Sequence, residues 1–499
     1  MFSTLKNPAH LRQDLLASLV VFLVALPLCV GVAVASGVPA ELGLVTGIVG
    51  GLVVGCLPGS SLQVSGPAAG LTVLVFEAVQ EFGLGALGVV VLLSGLAQLA
   101  MGVLRFGRFF RAITVAVVQG MLAGIGLVLI FGQLYTMAGV EQPRSGLGKI
   151  AGIPGLAAEI TSSGAVRTSF AVGAATIAVL VLWRRLPSKV QAVPAPLAAV
   201  ALATAVTAAA GWSVPRVDVQ GLLAAIQPPG LSDLASLGSL AAVGTIIAFA
   251  LIASAESLFS AAAVDRMHDG PRTDFDKELM AQGAGNAICG LLGALPLTAV
   301  IVRSAANVQA GAQTKLSRVL HGLWLVLFAA LLPAAIGVIP LAALAGVLVH
   351  AGCKLIPVKD LLPLWRSHRG EALVLAATAI AIIVTNMFEG VLFGIALAVA
   401  KSAWETSHVR LDVHETTGGR FLVTLSGSAT FLRLPRMLET LEALPPGHPV
   451  ELDLSGLRHV DHACRTTLEG WAQQRGVTVE VPARPERPSG PSGRTAAVP

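Results

Sequence analysis

Leu295-Pro-Leu-Thr-Ala-Val-Ile-Val-Arg-Ser-Ala-Ala-Asn-Val-Gln-Ala-Gly311 sets Arg303, Asn307 and Gln309 in a region otherwise oily enough to span a membrane. A lone arginine at that depth costs roughly 2.5–3.5 kcal/mol on insertion scales, so it faces a wet cavity or a polar partner and marks a pathway. An earlier stretch answers it. Gly55-Cys-Leu-Pro58 leads into Ser60, Ser61, Gln63 and Ser65-Gly-Pro67, as Gly293-Ala-Leu-Pro296 leads into Thr298 and Arg303 almost half the chain later. Apolar segments interrupted by Gly and Pro at corresponding places in two halves are the sequence sign of a transporter site built from broken helices.

Outward from that pair, the 499 residues are 55% hydrophobic and only 12% charged, with a mean hydropathy of +0.79, where soluble domains are about 25% charged. The fold class expected is an all-α polytopic membrane protein. Fourteen spans are predicted, at 13–35, 40–58, 64–80, 84–104, 112–138, 166–184, 191–210, 237–263, 278–294, 297–311, 316–337, 338–353, 371–386 and 387–404. The third and tenth are too short and too interrupted for full crossings. Each would begin near mid-membrane after extended backbone, which is tolerated only where it lines protein or a cavity.

With a cytoplasmic N-terminus and one crossing per span, Lys6, Arg12, Arg105, Arg108, Arg111, Arg184, Arg185, Lys189, Arg266, Arg272, Lys277, Lys315, Arg318, Lys354, Lys359, Arg366, Arg369 and Lys401 fall on the cytoplasmic side. Only Arg144, Lys149, Arg167 and Arg216 oppose them, as the positive-inside rule requires. Both termini are therefore expected in the cytoplasm and the chain in the inner (plasma) membrane. The net charge of +5 is topological and does not indicate a nucleic-acid partner. The connections 139–165 and 211–236 are longer, and Gly221 to Ile226 reads as an interfacial segment or a structural linker. Cys29, Cys56, Cys289, Cys353 and Cys464 are odd in number and scattered, four of them in apolar segments, and read as buried thiols more than as a disulfide frame or metal set. With no zinc cluster, Walker loop or nucleophile elbow, neither an enzyme nor a cofactor is expected.

After Trp404 the hydropathy collapses. Val409–Glu415, Phe421–Leu425, Val450–Leu454 and Val477–Val481 read as strands, Leu434–Leu444 and Arg465–Gln474 as helices, giving a small α/β layer. The Pro-, Gly-, Ser- and Arg-rich tail is expected to be disordered. The domain reading is 1–12 N-terminus, 13–404 transmembrane domain, 407–482 soluble module and 483–499 tail.

Within the membrane, Glu256 lies in Ala255-Glu-Ser-Leu-Phe-Ser260, one helical turn before Ser260. Desolvation favours a neutral carboxyl, so Glu256 can carry a proton or, ionised, help ligate sodium; its structural alternative is a pairing with Arg303 or a backbone donor. Two half-helix starts supply unsatisfied N–H groups and positive dipole ends suited to an anion. Gln63, Ser65, Gly66, Ala68, Ala69 and Gly70 would approach it from one side, Thr298, Ala299, Val300, Ile301 and Val302 from the other. Arg303 adds positive potential or caps the cavity. Glu77 and Glu81 read as an outer mouth, His321 and His350 as satisfied interior histidines.

These motifs together resemble the sulfate permease (SulP, solute carrier family 26) anion transporters along essentially the whole chain. The resemblance rests on Ala25-Leu-Pro-Leu-Cys-Val-Gly-Val-Ala-Val-Ala-Ser-Gly-Val-Pro39, Gln63-Val-Ser-Gly-Pro-Ala-Ala-Gly70, Glu256-Ser-Leu-Phe-Ser260 and Arg303-Ser-Ala-Ala-Asn-Val-Gln-Ala-Gly311. It implies two inverted seven-segment repeats arranged as core and gate domains, elevator-like alternating access, a homodimer and an anion site between segments three and ten. It also implies cation coupling at Glu256 and Ser260. Some sodium-coupled bicarbonate members carry Asp and Thr there, where this chain has Glu and Ser, so proton symport is expected first. Val302 stands where animal exchangers carry Ser. Leu452-Asp-Leu-Ser-Gly-Leu-Arg-His-Val-Asp461 resembles the strand-to-helix signature of a STAS domain. His462 stands where a phosphorylatable serine is common, and the module stops short of a final helix.

The expected function is secondary active transport, as a proton-coupled symporter, of a small inorganic anion, bicarbonate or sulfate. Alternatives are a fumarate-like dicarboxylate symporter, an anion exchanger, a nucleobase-type permease, a passive channel, or a membrane anchor presenting the STAS-like module to a cytoplasmic partner.

Overall fold

The computed structural model describes residues 8–108, 114–191, 193–230, 233, 238–416, 419–445 and 447–480. The expectations for residues 1–7, for Arg111 and for the tail 483–499 lie outside the described residues. The chain divides into two units, Met1–Ile395 and Ala396–Pro499, with the division inside the fourteenth span.

In the first half the spans are α1 (Pro8–Ala35), α2 (Ala40–Val49), strand β1 (Ser65–Pro67) leading into α3 (Thr72–Phe82), α4 (Leu84–Val103), α5 (Val115–Ala138), α6 (Gly164–Leu182) and α7 (Ala195–Ala209). The second half repeats the series as α8 (Leu240–Val264), α9 (Phe275–Leu291), strand β2 (Leu297–Ala299) leading into α10 (Ile301–Gln309), α11 (Leu316–Leu331), α12 (Leu341–Leu355), α13 (Arg369–Val384) and α14 (Met387–Thr406). Among the described residues, seven helices are long and apolar enough to cross a membrane outright. Each of the fourteen predicted spans overlaps one helix or broken helix of this series.

Packing follows the repeat. α4 lies against α9 as α2 lies against α11, α8 meets α4 as α1 meets α11, and α13 meets α5 as α6 meets α12, while α5 and α12 pack on each other. Exchanging partners by seven positions reproduces each contact, which is the pattern of an inverted repeat. α1–α4 with α8–α11 make the core domain, and α5–α7 with α12–α14 the gate. The abundant glycine serves this packing: at Gly95 of α4 the backbone of α9 comes so near that a Cβ would lie 2.3 Å from the Ala287 nitrogen.

Two buried charged side chains bear on the longer connections. In the connection 211–236, Glu41 of α2 is buried and accepts hydrogen bonds from the backbone N–H groups of Gln220 (2.7 Å) and Gly221 (2.9 Å), pinning the short helix Leu222–Ala225. Lys149, counted from sequence among the charges of the loops opposite the cytoplasmic side, is 3% exposed with Nζ 5.0 Å from the centroid of the Phe76 ring. Burial pushes its ammonium down to about 8, against the opposing pull of Glu77.

In the second unit, β3 (Val409–Thr416), β4 (Arg420–Ala429), β5 (Val450–Val460) and β6 (Thr478–Glu480) form one sheet in that order, with α15 (Leu434–Glu442) and α16 (His462–Arg475) in the connections. β3–β4 is antiparallel, β4–β5 and β5–β6 are parallel, and parallel neighbours need crossover connections, which the two helices supply. Val423, Leu425, Leu452, Met437, Leu441, Cys464 and Leu468 form its core. β5 runs on to Val460, beyond the predicted end at Leu454. Asp461 then caps α16, its carboxylate accepting from the Cys464 N–H at 2.8 Å, and His462 is exposed at the helix start.

Candidate functional site

β1 and β2 cross as an antiparallel pair, with Ser65 opposite Ala299, Gly66 opposite Thr298 and Pro67 opposite Leu297. Each strand turns into a helix within a few residues: Ala68 is extended and followed by a 3-10 turn before α3, and Val300 is extended directly before α10. Because the strands are antiparallel, α3 and α10 leave the crossing in opposite directions, and both positive N-terminal ends remain beside it. α3 has 11 residues, roughly 16 Å, about half the hydrocarbon thickness of a bilayer. The half-span reading of segments three and ten therefore holds.

Polar side chains hold the two strands in register. Asn286 of α9 accepts from the Leu297 N–H (2.7 Å) and donates to the Leu297 carbonyl (3.0 Å) and to Gln98 of α4 (2.7 Å). Ser304 accepts from the Val64 N–H at 2.9 Å, the Val300 N–H donates to the Val64 carbonyl at 2.9 Å, and Asn307 donates to the Leu62 carbonyl at 2.9 Å. Two residues expected to meet substrate are part of this frame. Gln63 donates to the Ser257 carbonyl (2.9 Å), and Ser65 accepts from Gln282 (2.7 Å), which also donates to Glu278 (2.7 Å).

Arg318, read as a loop charge, instead lies within α11 and is 2% exposed. It donates to the carbonyls of Gly55 (3.0 Å), Gln63 (3.2 Å) and Leu57 (3.1 Å), and so ties down the whole approach to β1.

Arg303 is fully buried and donates from Nη2 to the Pro67 carbonyl at 3.2 Å, while Nε and Nη1 have no hydrogen-bond partner. Its guanidinium closes on Gly66 through Nη1, where a Cβ would come 2.2 Å from that nitrogen. No ion pair joins it to Glu256, so the structural alternative for that carboxylate fails on the arginine side. His321, expected to be a satisfied interior histidine, is fully buried with both ring nitrogens unpartnered. Next to Arg303 the chain turns outward: Ile301 and Val302 are 40% and 43% exposed, so the first turn of α10 faces open space.

Glu256 sits across from α3. A Cβ at Gly70 would lie 2.5 Å from its Oε1 and 2.8 Å from Oε2, and the Thr298 side chain lies beside the same carboxyl. Oε2 is buried and unpartnered. Thus Glu256, Gly70 and Thr298 meet at the crossing, one element from each side. Ser260 is buried one turn further along α8 and makes no hydrogen bond with Glu256.

A cavity of about 920 Å³ opens between the end of α3, the start of α8 and the α13–α14 turn, with Glu77, Glu81, Glu389, Arg144 and Asn386 on its walls. None of the crossing residues lines it. An apolar slot of about 100 Å³ lies between α5, α8 and α14 and reaches Ala255, beside Glu256.

The sequence reading singled out Gln63, Ser65, Arg303 and Glu256 but missed Ser257, Glu278, Gln282, Asn286 and Arg318. For Glu278, Gln282, Asn286 and Arg318 the one sequence signal is the accumulation of amides and charges on α9 and α11, helices otherwise apolar; Ser257, on α8, carries none.

The sulfate permease family model matches residues 11–378. YvdB, a putative sulfate transporter of Bacillus subtilis, is 27% identical over 399 residues, covering 79% of this chain and 73% of that protein. Among solved structures, the transmembrane domain of a cyanobacterium bicarbonate transporter, BicA, matches with a TM-score of 0.69 at 22% identity, over 77% of this chain and 98% of that one. Murine Slc26a9, an anion transporter in its inward-facing state, matches with a TM-score of 0.77 at 17% identity, over 95% of this chain and 86% of that one. The chain belongs to the sulfate permease family.

Proposed function

We propose that the chain is a secondary active transporter of a small inorganic anion, bicarbonate or sulfate, in the plasma membrane, with Glu256 carrying a coupling proton. The observation that carries this reading is the β1–β2 crossing: two half-helix N-termini and a fully buried arginine without a carboxylate partner, all within one frame. Such a site has a positive potential that no ion pair within the frame neutralises. The anion binds to the backbone of Ala68, Ala69 and Gly70 on one side and Ala299 to Val302 on the other. Gln63, Ser65 and Gly66 shape the floor, and Arg303 sets the field from behind.

Glu256 faces Gly70 and Thr298 at the same point, so its charge state and the anion's presence are felt together. Protonation removes a repulsive charge beside the anion, and that is symport by electrostatics. Ser260 lies on the same helix face as a supporting hydroxyl. The core domain carries the site past the gate in an elevator motion, in a homodimer with both termini in the cytoplasm, and residues 407–482 act as a STAS-like module.

The test is uptake of labelled bicarbonate, sulfate and fumarate into proteoliposomes, first under a proton gradient and then under a sodium gradient. Concentrative, proton-dependent uptake of bicarbonate or sulfate supports the proposal. Sodium dependence transfers the coupling to that ion, fumarate uptake alone changes the cargo, and equilibration without concentration makes the protein a channel.

A further inference from the structure

The second unit holds a cleft of about 460 Å³ between the edge strand β3 and helix α15, with His408 and Leu411 on one wall and Arg433, Arg436, Glu439 and Thr440 on the other. Arg433 is held in place independently of any ligand. Its Nε donates to the Ser407 carbonyl at 2.8 Å and its guanidinium stacks 4.4 Å from the centroid of the Trp404 ring. A guanidinium fixed this way loses little freedom on binding, and its two terminal amino groups remain to fork onto oxygens. Arg436 lies one turn along, on the same face.

Neither arginine has a carboxylate within ion-pair distance among the described residues. The nine-residue helix α15 starts between them, but the Leu434 N–H is bonded to the Phe431 carbonyl and Pro435 has none, so the positive charge of the cleft comes from the two guanidinium groups. On the other wall His408 is oriented by a bond of Nδ1 to the Glu405 carbonyl, 2.7 Å, which requires the proton on Nδ1. Glu439 is the single carboxylate of the lining.

We propose that this cleft binds a phosphate-type oxyanion, held bidentately by Arg433 and Arg436. Two guanidinium groups lining one cavity match a tetrahedral anionic group, whose oxygens point in several directions, better than a planar carboxylate, which one fork would satisfy. The group can belong to a soluble phosphate or to a lipid headgroup, since the cleft begins two residues after α14 ends. The site is separate from the β1–β2 crossing and does not depend on the transport proposal.

The test uses the full chain in phosphatidylcholine nanodiscs, titrated with inorganic phosphate, and a second preparation with phosphatidylglycerol added and no phosphate. Trp404 emission is read as the difference between the protein and its Trp404→Phe variant. Arg433→Gln removes the stacked guanidinium and must itself shift that emission, which establishes the reporter. We expect a saturable change in at least one arm, weakened about tenfold by Arg436→Gln, as for loss of one charge-assisted pair, and strengthened by Glu439→Gln. A response to phosphate assigns a soluble ligand, and a response to phosphatidylglycerol assigns a headgroup. Arg436 is exposed, so its variant should melt with the parent. No saturable change in either arm, or an unaltered one in Arg436→Gln, overturns the proposal.

Discussion

Gly70→Ala should uncouple transport without unfolding the protein. The added Cβ would stand 2.5 Å from Oε1 of Glu256 and 2.8 Å from its Cδ and Oε2, where ordinary contact begins at 3.4 Å. The carboxyl group must therefore retreat by roughly 0.6–0.9 Å, or α3 and α8 must part. Relief through side-chain torsions costs about 0.5–1.5 kcal/mol, and overpacking of this kind costs about 1–3 kcal/mol overall. If that strain falls on the position of Glu256, coupled uptake drops about 5- to 150-fold. The assay is initial uptake in proteoliposomes at a fixed proton gradient, with Gly155→Ala as control, because a Cβ there meets nothing within 4 Å. Combining Gly70→Ala with Glu256→Gln should cost no more than Glu256→Gln alone, since both act through one carboxyl. Gly70→Ala at parental rate with proton dependence intact would refute the placement of the coupling group.

Other consequences are checked more simply. Gly66→Ala drives a Cβ to 2.2 Å from Nη1 of Arg303 and should raise KM for the anion, read from uptake at varied concentration. Asn286→Leu strips the Leu297 N–H and carbonyl of their partners and should lower stability by about 2–5 kcal/mol; Asn286→Asp keeps the acceptor and should lose less, in parallel thermal melts. Arg318→Met leaves the carbonyls of Gly55, Leu57 and Gln63 without their donor, a loss of about 3 kcal/mol or more, seen as a lowered melting temperature. In the second unit, burial, and then Asp461, push the Cys464 thiol up to about 12. Iodoacetamide at pH 8 should therefore spare Cys464 until denaturant opens the module, as peptide mapping would show.

The spans were legible because a bilayer imposes one simple demand, about 20 apolar residues per crossing, and α1, α5 and α8 meet it in plain sequence. The broken helices were legible for the opposite reason. Arg303 and Glu256 are too costly in hydrocarbon to be incidental, and Gly-x-Leu-Pro announces each interruption. What the sequence hid is pairing over long separations. Nothing local says that Arg318 turns inward to the carbonyls before β1, or that Gln282 takes up the hydroxyl of Ser65. Both look like helix-end polarity until the tertiary fold brings them together. In the second unit, the sequence ends β5 at Leu454 because Ser455-Gly456 has low strand propensity. The strand survives because Gly456 pairs with Ser426 beside a register shift, which only the neighbouring strand can dictate.

The measurement that tests the account most directly is a cryo-EM map of the protein with its transported anion at saturating concentration. The account predicts density at the β1–β2 crossing, within about 3 Å of backbone N–H groups at the starts of α3 and α10, and lost in Gly66→Ala. Density confined to the Glu77-lined cavity, with the crossing empty while uptake is robust, would contradict it.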